Sequence, residues 1–378
     1  MIVFEDGPGG HAALFRNASR QVTAWTPEEV LPALQTVEAE RQRGAWVAGW
    51  IGYEAGMALE ARLKPLLRLS QDEPLLVFGI HDGPESPDEF LRAAQGEAEG
   101  VRLSPFAPLL DEAGYGKSFR RLADYIGQGD CYQVNLTFPL GARLTAGTGA
   151  GLYAALRQRQ PVGHGAFADL GVGPVIISRS PELFFQLDAE GVIETRPMKG
   201  TAPRDPDPER DQAVARELRE SEKNRAENLM IVDLLRNDIS RISEVGSVRV
   251  PELFRVDTLQ TVHQMISRVV GRLDGPARLD RLMQALFPCG SVTGAPKIRA
   301  MQIIAELEPF ARGIYCGSMG WMAPDGSASF NVAIRTLRLF PEGRVLMNVG
   351  GGVVQDSTAA GEWEEALWKA RFADLSRG

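Results

Sequence analysis

The chain has 378 residues, 24% of them charged, and a formal net charge of -8. That length buries one large core or two ordinary ones, and the acidic balance argues against non-specific nucleic-acid binding, which needs a basic face to displace counterions. Three widely spaced cysteines, Cys131, Cys289 and Cys316, form no CxxC pair, so neither a disulfide framework nor a zinc site is expected and a reducing cytoplasm fits.

Residues 1 to about 100 read as short strands and turns around one helix, Pro27 to Arg43. Glu5 and Asp6 near the start argue against a secretory leader, and no apolar run of about 18 residues suggests a membrane span. The aromatic and β-branched stretch from Gly44 to Tyr53 predicts a buried strand. A polar connection, Ser86 to Gly100, leads to a soft boundary between about 100 and 112. The organisation expected is an N-terminal region, 1–105, packed on a main domain, 112–378.

Beyond the boundary, Phe119, Leu122, Ala123 and Ile126 share one face of a helix predicted from Tyr115 to Gln128. A strand follows from Val134 to Leu140, then short strands over Val175–Ser178, Leu183–Leu187 and Gly191–Glu194. A long or broken helix is predicted from Pro208 to Arg241, and strands return at Ile314–Met322, Ala328–Leu339 and Arg344–Val349. A helix from about Thr358 to Ala373 closes the chain. Strands in hairpin-like groups with helices at irregular intervals predict an α+β class with mostly antiparallel sheets.

The run Thr195-Arg196-Pro197-Met198-Lys199-Gly200-Thr201-Ala202-Pro203-Arg204 places one lysine in a turn stiffened by two prolines, with Gly200 permitting close approach of a ligand. Near neutrality an ordinary lysine, with a pKa of about 10.4, is almost wholly protonated, so a nucleophilic one needs burial or cationic neighbours such as Arg196 and Arg204. Nucleophile, general base and anion anchor all fit the spacing. Glu227 lies in the long helix, and Glu362 and Glu365 stand one turn apart on the last helix, a set that suits magnesium or an ordinary solvated face with the pair Glu365 and Lys369.

Two further stretches offer anion contacts. Gly350-Gly351-Gly352, placed directly after a strand, fits an anion-binding nest or a plain turn. The loop Phe287 to Lys297, with Ser291 inside it, leads into a helix beginning near Ile298. Arg335, in an otherwise apolar strand, calls for a carboxylate partner, from the protein or from a ligand.

Ser180-Pro181-Glu182-Leu183-Phe184, the Pro-Met-Lys-Gly-Thr turn and Asn224-Arg225-Ala226-Glu227-Asn228 followed by Asp233 to Asp238 come in a distinctive order. With the Thr-Gly-Ala-Pro-Lys loop, Phe330 to Thr336 and the glycine triplet, they resemble the chorismate-utilising enzymes. The resemblance is strong over 112–378 and weaker over Gly49 to Glu60. It implies a β-sandwich core of mostly antiparallel sheets flanked by helices. The lysine turn is similar to that of members that aminate chorismate at ring carbon 4, whereas anthranilate-forming members typically carry alanine there.

By resemblance, Lys199 is expected as the nucleophile and Glu182 as the general acid/base. Thr201, Ser291, Tyr315, Arg335, Gly350, Gly352 and Gln264 are expected around the substrate, and Glu227, Glu362 and Glu365 at Mg2+. Ammonia from a glutamine amidotransferase subunit would be the second substrate. Gln264, where many relatives carry histidine, and Asn224, where they carry glutamate, depart from the pattern. Competing readings are an anthranilate or isochorismate synthase and a non-catalytic chorismate-binding subunit.

Overall fold

The computed structural model describes residues 1–258 and 262–375. Two sheets of ten strands each make the framework, and every strand pairing among the described residues is antiparallel. At the centre of one sheet, Gln133–Ala146 runs beside Arg344–Val353, which is followed outward by Thr336–Leu339 and Val175–Ser180. The other sheet runs from Met198–Pro203 through Val262–Arg272, Val192–Thr195, Leu183–Leu187 and Ala328–Asn331 to Ser318–Met322 and Trp46–Ile51. Phe185 and Phe330, from neighbouring strands, stack at 5.1 Å in the core between the sheets.

The first 105 residues supply strands to both sheets. Ile2–Phe4 pairs with His164–Ala168 in one, and Arg20–Ala24, Trp46–Ile51 and Leu76–His81 extend the other. The predicted helix over 27–43 is present as Pro27–Gln42, capped by Thr26 and Glu29 reciprocally. Pro208 to Arg241 forms two helices, Pro208–Glu220 and Glu222–Ser240, and Ser221, between them, caps the second through its hydroxyl.

Three expectations are corrected. The predicted strand over 328–339 is two strands in different sheets, Ala328–Asn331 and Thr336–Leu339, joined by a crossover at 332–335. Val332, Ala333 and Ile334 continue the apolar run through that crossover, where Val332 and Ala333 are fully buried, so Arg335 is the one mark of the break in hydropathy. The glycine triplet lies inside the strand Arg344–Val353, where Gly350 faces Thr137 and Gly352 faces Asn135. The lysine segment is a strand, Met198–Pro203, whose register shifts between Met198 and Thr201. Gly200 takes φ +84° at that bulge, a left-handed conformation that costs glycine little.

The closing helix Ala359–Ala370 begins at Thr358, whose hydroxyl accepts from Gly361 N. Trp363 anchors it, stacked at 4.3 Å on Phe138 of the central strand. Burying Trp363 and Ala366 leaves Glu362, Glu365 and Lys369 directed toward the glycine triplet.

Candidate active site

A cavity of about 740 Å³, counting its solvent-open mouth, lies between the sheets, a size suited to a small organic molecule. Glu182, Lys199, Ser291, Tyr315, Arg335, Gly350 and Gly352 line it, together with Asn135, Asn348 and Lys369. Seven of the residues expected from the sequence thus meet in one place.

The topology explains how Glu182 and Arg335 get there. Each lies where the chain passes from one sheet to the other, Glu182 between Val175–Ser180 and Leu183–Leu187, Arg335 just before Thr336–Leu339. The two crossovers run side by side: Val332 N donates to Glu182 O at 3.0 Å and Arg179 N to Arg335 O at 3.0 Å. Arg335 adopts φ +50°. Among the described residues no carboxylate pairs with its guanidinium, and burial lowers its pKa against the opposing pull of Glu182. The partner expected for Arg335 is therefore left for a ligand to supply.

Glu182 is buried, and its Oε1 has no hydrogen-bond partner among the described residues. Burial holds its carboxyl above the ordinary range, opposed by the Ser291 hydroxyl and the Lys199 charge. Lys199 shows the complementary shift: loss of hydration lowers its pKa, while Glu227 on the facing helix is the strongest opposing charge. Among the described residues its amine makes no hydrogen bond or ion pair. Both shifts favour the neutral form, and the two groups share one cavity.

Thr201 and Gln264 are not among the lining residues. Thr201 Oγ1 donates to Gln264 Oε1 at 2.8 Å, and Gln264 Nε2 donates to Gly200 O at 2.8 Å, closing a ring around the bulge that carries Lys199. Asn224 packs behind it, so close that a Cβ at Gly200 would stand 3.0 Å from Asn224 Cγ.

At the rim, a Cβ on Gly351 would stand 2.8 Å from Glu362 Oε2, 3.3 Å from Lys369 Nζ and 4.0 Å from Glu365 Oε1. The glycine leaves room for that charged cluster. Lys369 Nζ pairs with Glu365 at 2.8 Å and donates to Gly350 O at 2.9 Å. Burial raises the pKa of Glu362, opposed by the Ser357 hydroxyl, which donates to Oε1 and leaves Oε2 toward the triplet. Among the described residues no three His, Cys, Asp or Glu side chains form a ready-made metal cluster. The donor chemistry nevertheless suits magnesium, which takes one or two protein carboxylates and keeps waters and substrate oxygens.

Asn135, Asn348 and Lys369 were not singled out by sequence as cavity residues. Period two relates Asn348 to Gly350 and Gly352, and helical spacing relates Lys369 to Glu365, signals that locate them only once the glycine strand and closing helix are known to meet.

Together these features define a two-sheet α+β protein with an inter-sheet cavity equipped for an anionic ligand. The family described as chorismate binding enzyme matches residues 2–374, and the chain belongs to it. It is 47% identical to aminodeoxychorismate synthase component 1 of Klebsiella aerogenes over 260 residues, 68% of this chain and 56% of the relative. It is 44% identical to anthranilate synthase component 1 of Streptomyces coelicolor over 268 residues, 69% of this chain and 51% of the relative. The chain thus spans about half the length of these curated relatives in the matched region. Among solved structures, anthranilate synthase component I from Streptococcus pneumoniae superimposes with a TM-score of 0.80 at 26% identity, covering 96% of this chain and 91% of that one. Among the described residues no helix is long and apolar enough to cross a membrane.

Proposed function

We propose that the chain aminates chorismate at ring carbon 4 to give 4-amino-4-deoxychorismate, the activity named by aminodeoxychorismate synthase component 1. One observation carries the reading: among the described residues, a buried carboxyl with a free oxygen, Glu182, and a half-buried amine with no hydrogen bond or ion pair, Lys199, share a cavity that also holds an arginine paired with no carboxylate. A relative named anthranilate synthase component 1 is 44% identical, so family membership alone does not select the product. Lys199 is what favours amination at carbon 4 in this reading, since by resemblance anthranilate-forming members carry alanine there.

In this reading the Lys199 amine adds at ring carbon 2 as the hydroxyl leaves carbon 4. Hydroxide is a poor leaving group, and Glu182 protonates the departing oxygen so that it leaves as water, an effect of typically ~100-fold or more. Ammonia then forms its bond to carbon 4, the ring bond to Lys199 breaks, and the proton lost from nitrogen restores Glu182. Arg335, Tyr315, Ser291 and the N–H groups around Gly350 and Gly352 hold the substrate's carboxylates in a chain whose net charge is negative. Glu362, Glu365 and Glu227 would hold Mg2+, which when bound supplies positive charge for a substrate carboxylate. Ammonia would come from glutamine through an amidotransferase subunit, the second component that the relatives' name implies.

The deciding assay incubates purified protein with chorismate, an ammonium salt and Mg2+ and identifies the product by mass and fluorescence. The expected product is 4-amino-4-deoxychorismate. Fluorescent anthranilate or isochorismate would overturn the assignment, and tight chorismate binding without turnover would favour a binding subunit.

A further inference from the structure

The buried row Glu73, Arg338 and Asn348 lies beneath the cavity and belongs to none of the roles above. All three side chains are almost inaccessible. Arg338 NH1 donates to Glu73 Oε1 at 2.7 Å, and Arg338 NH2 donates to Asn348 Oδ1 at 2.5 Å. The second bond fixes the carboxamide, because turning it over would set N–H against N–H. Asn348 Nδ2 is then the end that remains, and it is buried with no partner among the described residues. Asn348 lines the cavity and lies on the face of its strand shared by Gly350 and Gly352.

We infer that Asn348 is a preset hydrogen-bond donor to an oxygen of the bound substrate, aimed by Arg338 and Glu73. Glu73 balances the Arg338 charge, so Arg338 acts as a fixed donor to Oδ1 and polarises the amide toward the cavity. An unpartnered buried donor is unfavourable in the free protein, and a carboxylate or ether oxygen of the ligand relieves it. The inference rests on reading the cavity as the chorismate site, and it adds a neutral, orientation-specific contact to the charged ones.

The test uses Asn348→Asp, which keeps the shape and still accepts from Arg338 but adds a negative charge as it removes the donor, and the uncharged Asn348→Ala, which removes the donor without adding charge; KM must rise in both for the inference to stand. Chorismate binding is measured by the rise in melting temperature without ammonia, and KM and kcat for chorismate by steady-state kinetics. The expected result is a KM raised about tenfold to a hundredfold with kcat changed far less, as for a hydrogen bond to a charged acceptor made equally in ground and transition states. A merely structural residue would instead lower the melting temperature of the ligand-free protein and leave KM where it was. Equal chorismate-induced stabilisation and equal KM in wild type and Asn348→Ala overturn the inference while leaving the cavity reading intact. A wild-type protein that chorismate does not stabilise overturns both. If Asn348→Asp does not melt cooperatively, Asn348→Ala alone is judged by the same tenfold criterion.

Discussion

The Arg312 guanidinium and the Lys199 amine occupy the same sandwich, and their surroundings treat charge in opposite ways. Arg312 donates from Nε to Glu308 Oε2 at 2.8 Å, from NH2 to Glu308 Oε1 at 2.7 Å and Asn135 O at 2.6 Å, and from NH1 to Val292 O at 3.1 Å. Glu308 in turn accepts from the Thr137 backbone and hydroxyl. Nearby, Glu54 accepts from Arg312 N and Gly313 N, and burial pushes its carboxyl up to about 7. Glu182 is similarly buried and Lys199 is half-buried, yet among the described residues they receive far fewer bonds. A satisfied buried ion pair holds strands in place; an unsatisfied pair holds the potential for proton transfer and bond formation.

The largest effect should come from removing the amine. Lys199→Ala is expected to lower kcat for amination by about 1,000-fold or more with little change in KM, since the nucleophile acts chiefly in the transition state. A raised KM with unchanged kcat would make Lys199 an anchor, and its region would then resemble the Arg312 cluster in purpose as well as in charge.

Breaking the satisfied pair should act on stability instead. Arg312→Met strands Glu308 in the interior and is expected to cost about 3–5 kcal/mol, read as a fall in denaturant midpoint at unchanged slope. Replacing both partners, Arg312→Met with Glu308→Leu, should recover much of that loss. Failure of the double variant to recover would show that the surrounding carbonyls and Thr137, more than the ion pair, set the cost.

Glu182→Gln tests the acid. The active form needs Lys199 neutral and Glu182 protonated, so kcat/KM for chorismate, referred to free ammonia, should fall at low pH as the amine gains its proton and at high pH as the carboxyl loses its own. The lowered Lys199 pKa and the raised Glu182 pKa both shift these limbs toward neutrality. The variant should lose about 100-fold in kcat and lose the alkaline limb while keeping the acid one. An alkaline limb that persists would assign that ionisation to another group.

The two regions were unequally legible in sequence. Lys199, Glu227 and the glycines announce themselves because proline, glycine and charge are local marks, and the order of motifs carried the family. The Arg312 cluster gave no such sign, since Glu54, Asn135 and Thr137 meet it only through tertiary packing. The same limit made the strand Met198–Pro203 read as a turn. Its partner strand is more than fifty residues away, so the prolines and Gly200 were visible but the pairing was not. The crossover at 332–335 was hidden for a related reason: Val332 to Ile334 are as apolar as a strand inside a sheet, and Arg335 alone reads as a charge within a strand.

The smallest expected effect lies where those two kinds of region touch. Gln264 is a structural group in its bonding, satisfied at Oε1 by Thr201 and at Nε2 by Gly200 O, yet what it braces is the bulge that aims Lys199. Removing it should cost about one hydrogen bond's worth of orientation, roughly tenfold in kcat for Gln264→Leu, with KM little altered. Because the effect is carried through the amine, Gln264→Leu should change nothing further in a Lys199→Ala background, and that non-additivity is the measurement to make. Additive losses would place Gln264 in direct contact with substrate, as the family resemblance implies for it. Non-additive ones would make it the point at which a satisfied network is used to keep an unsatisfied amine in place.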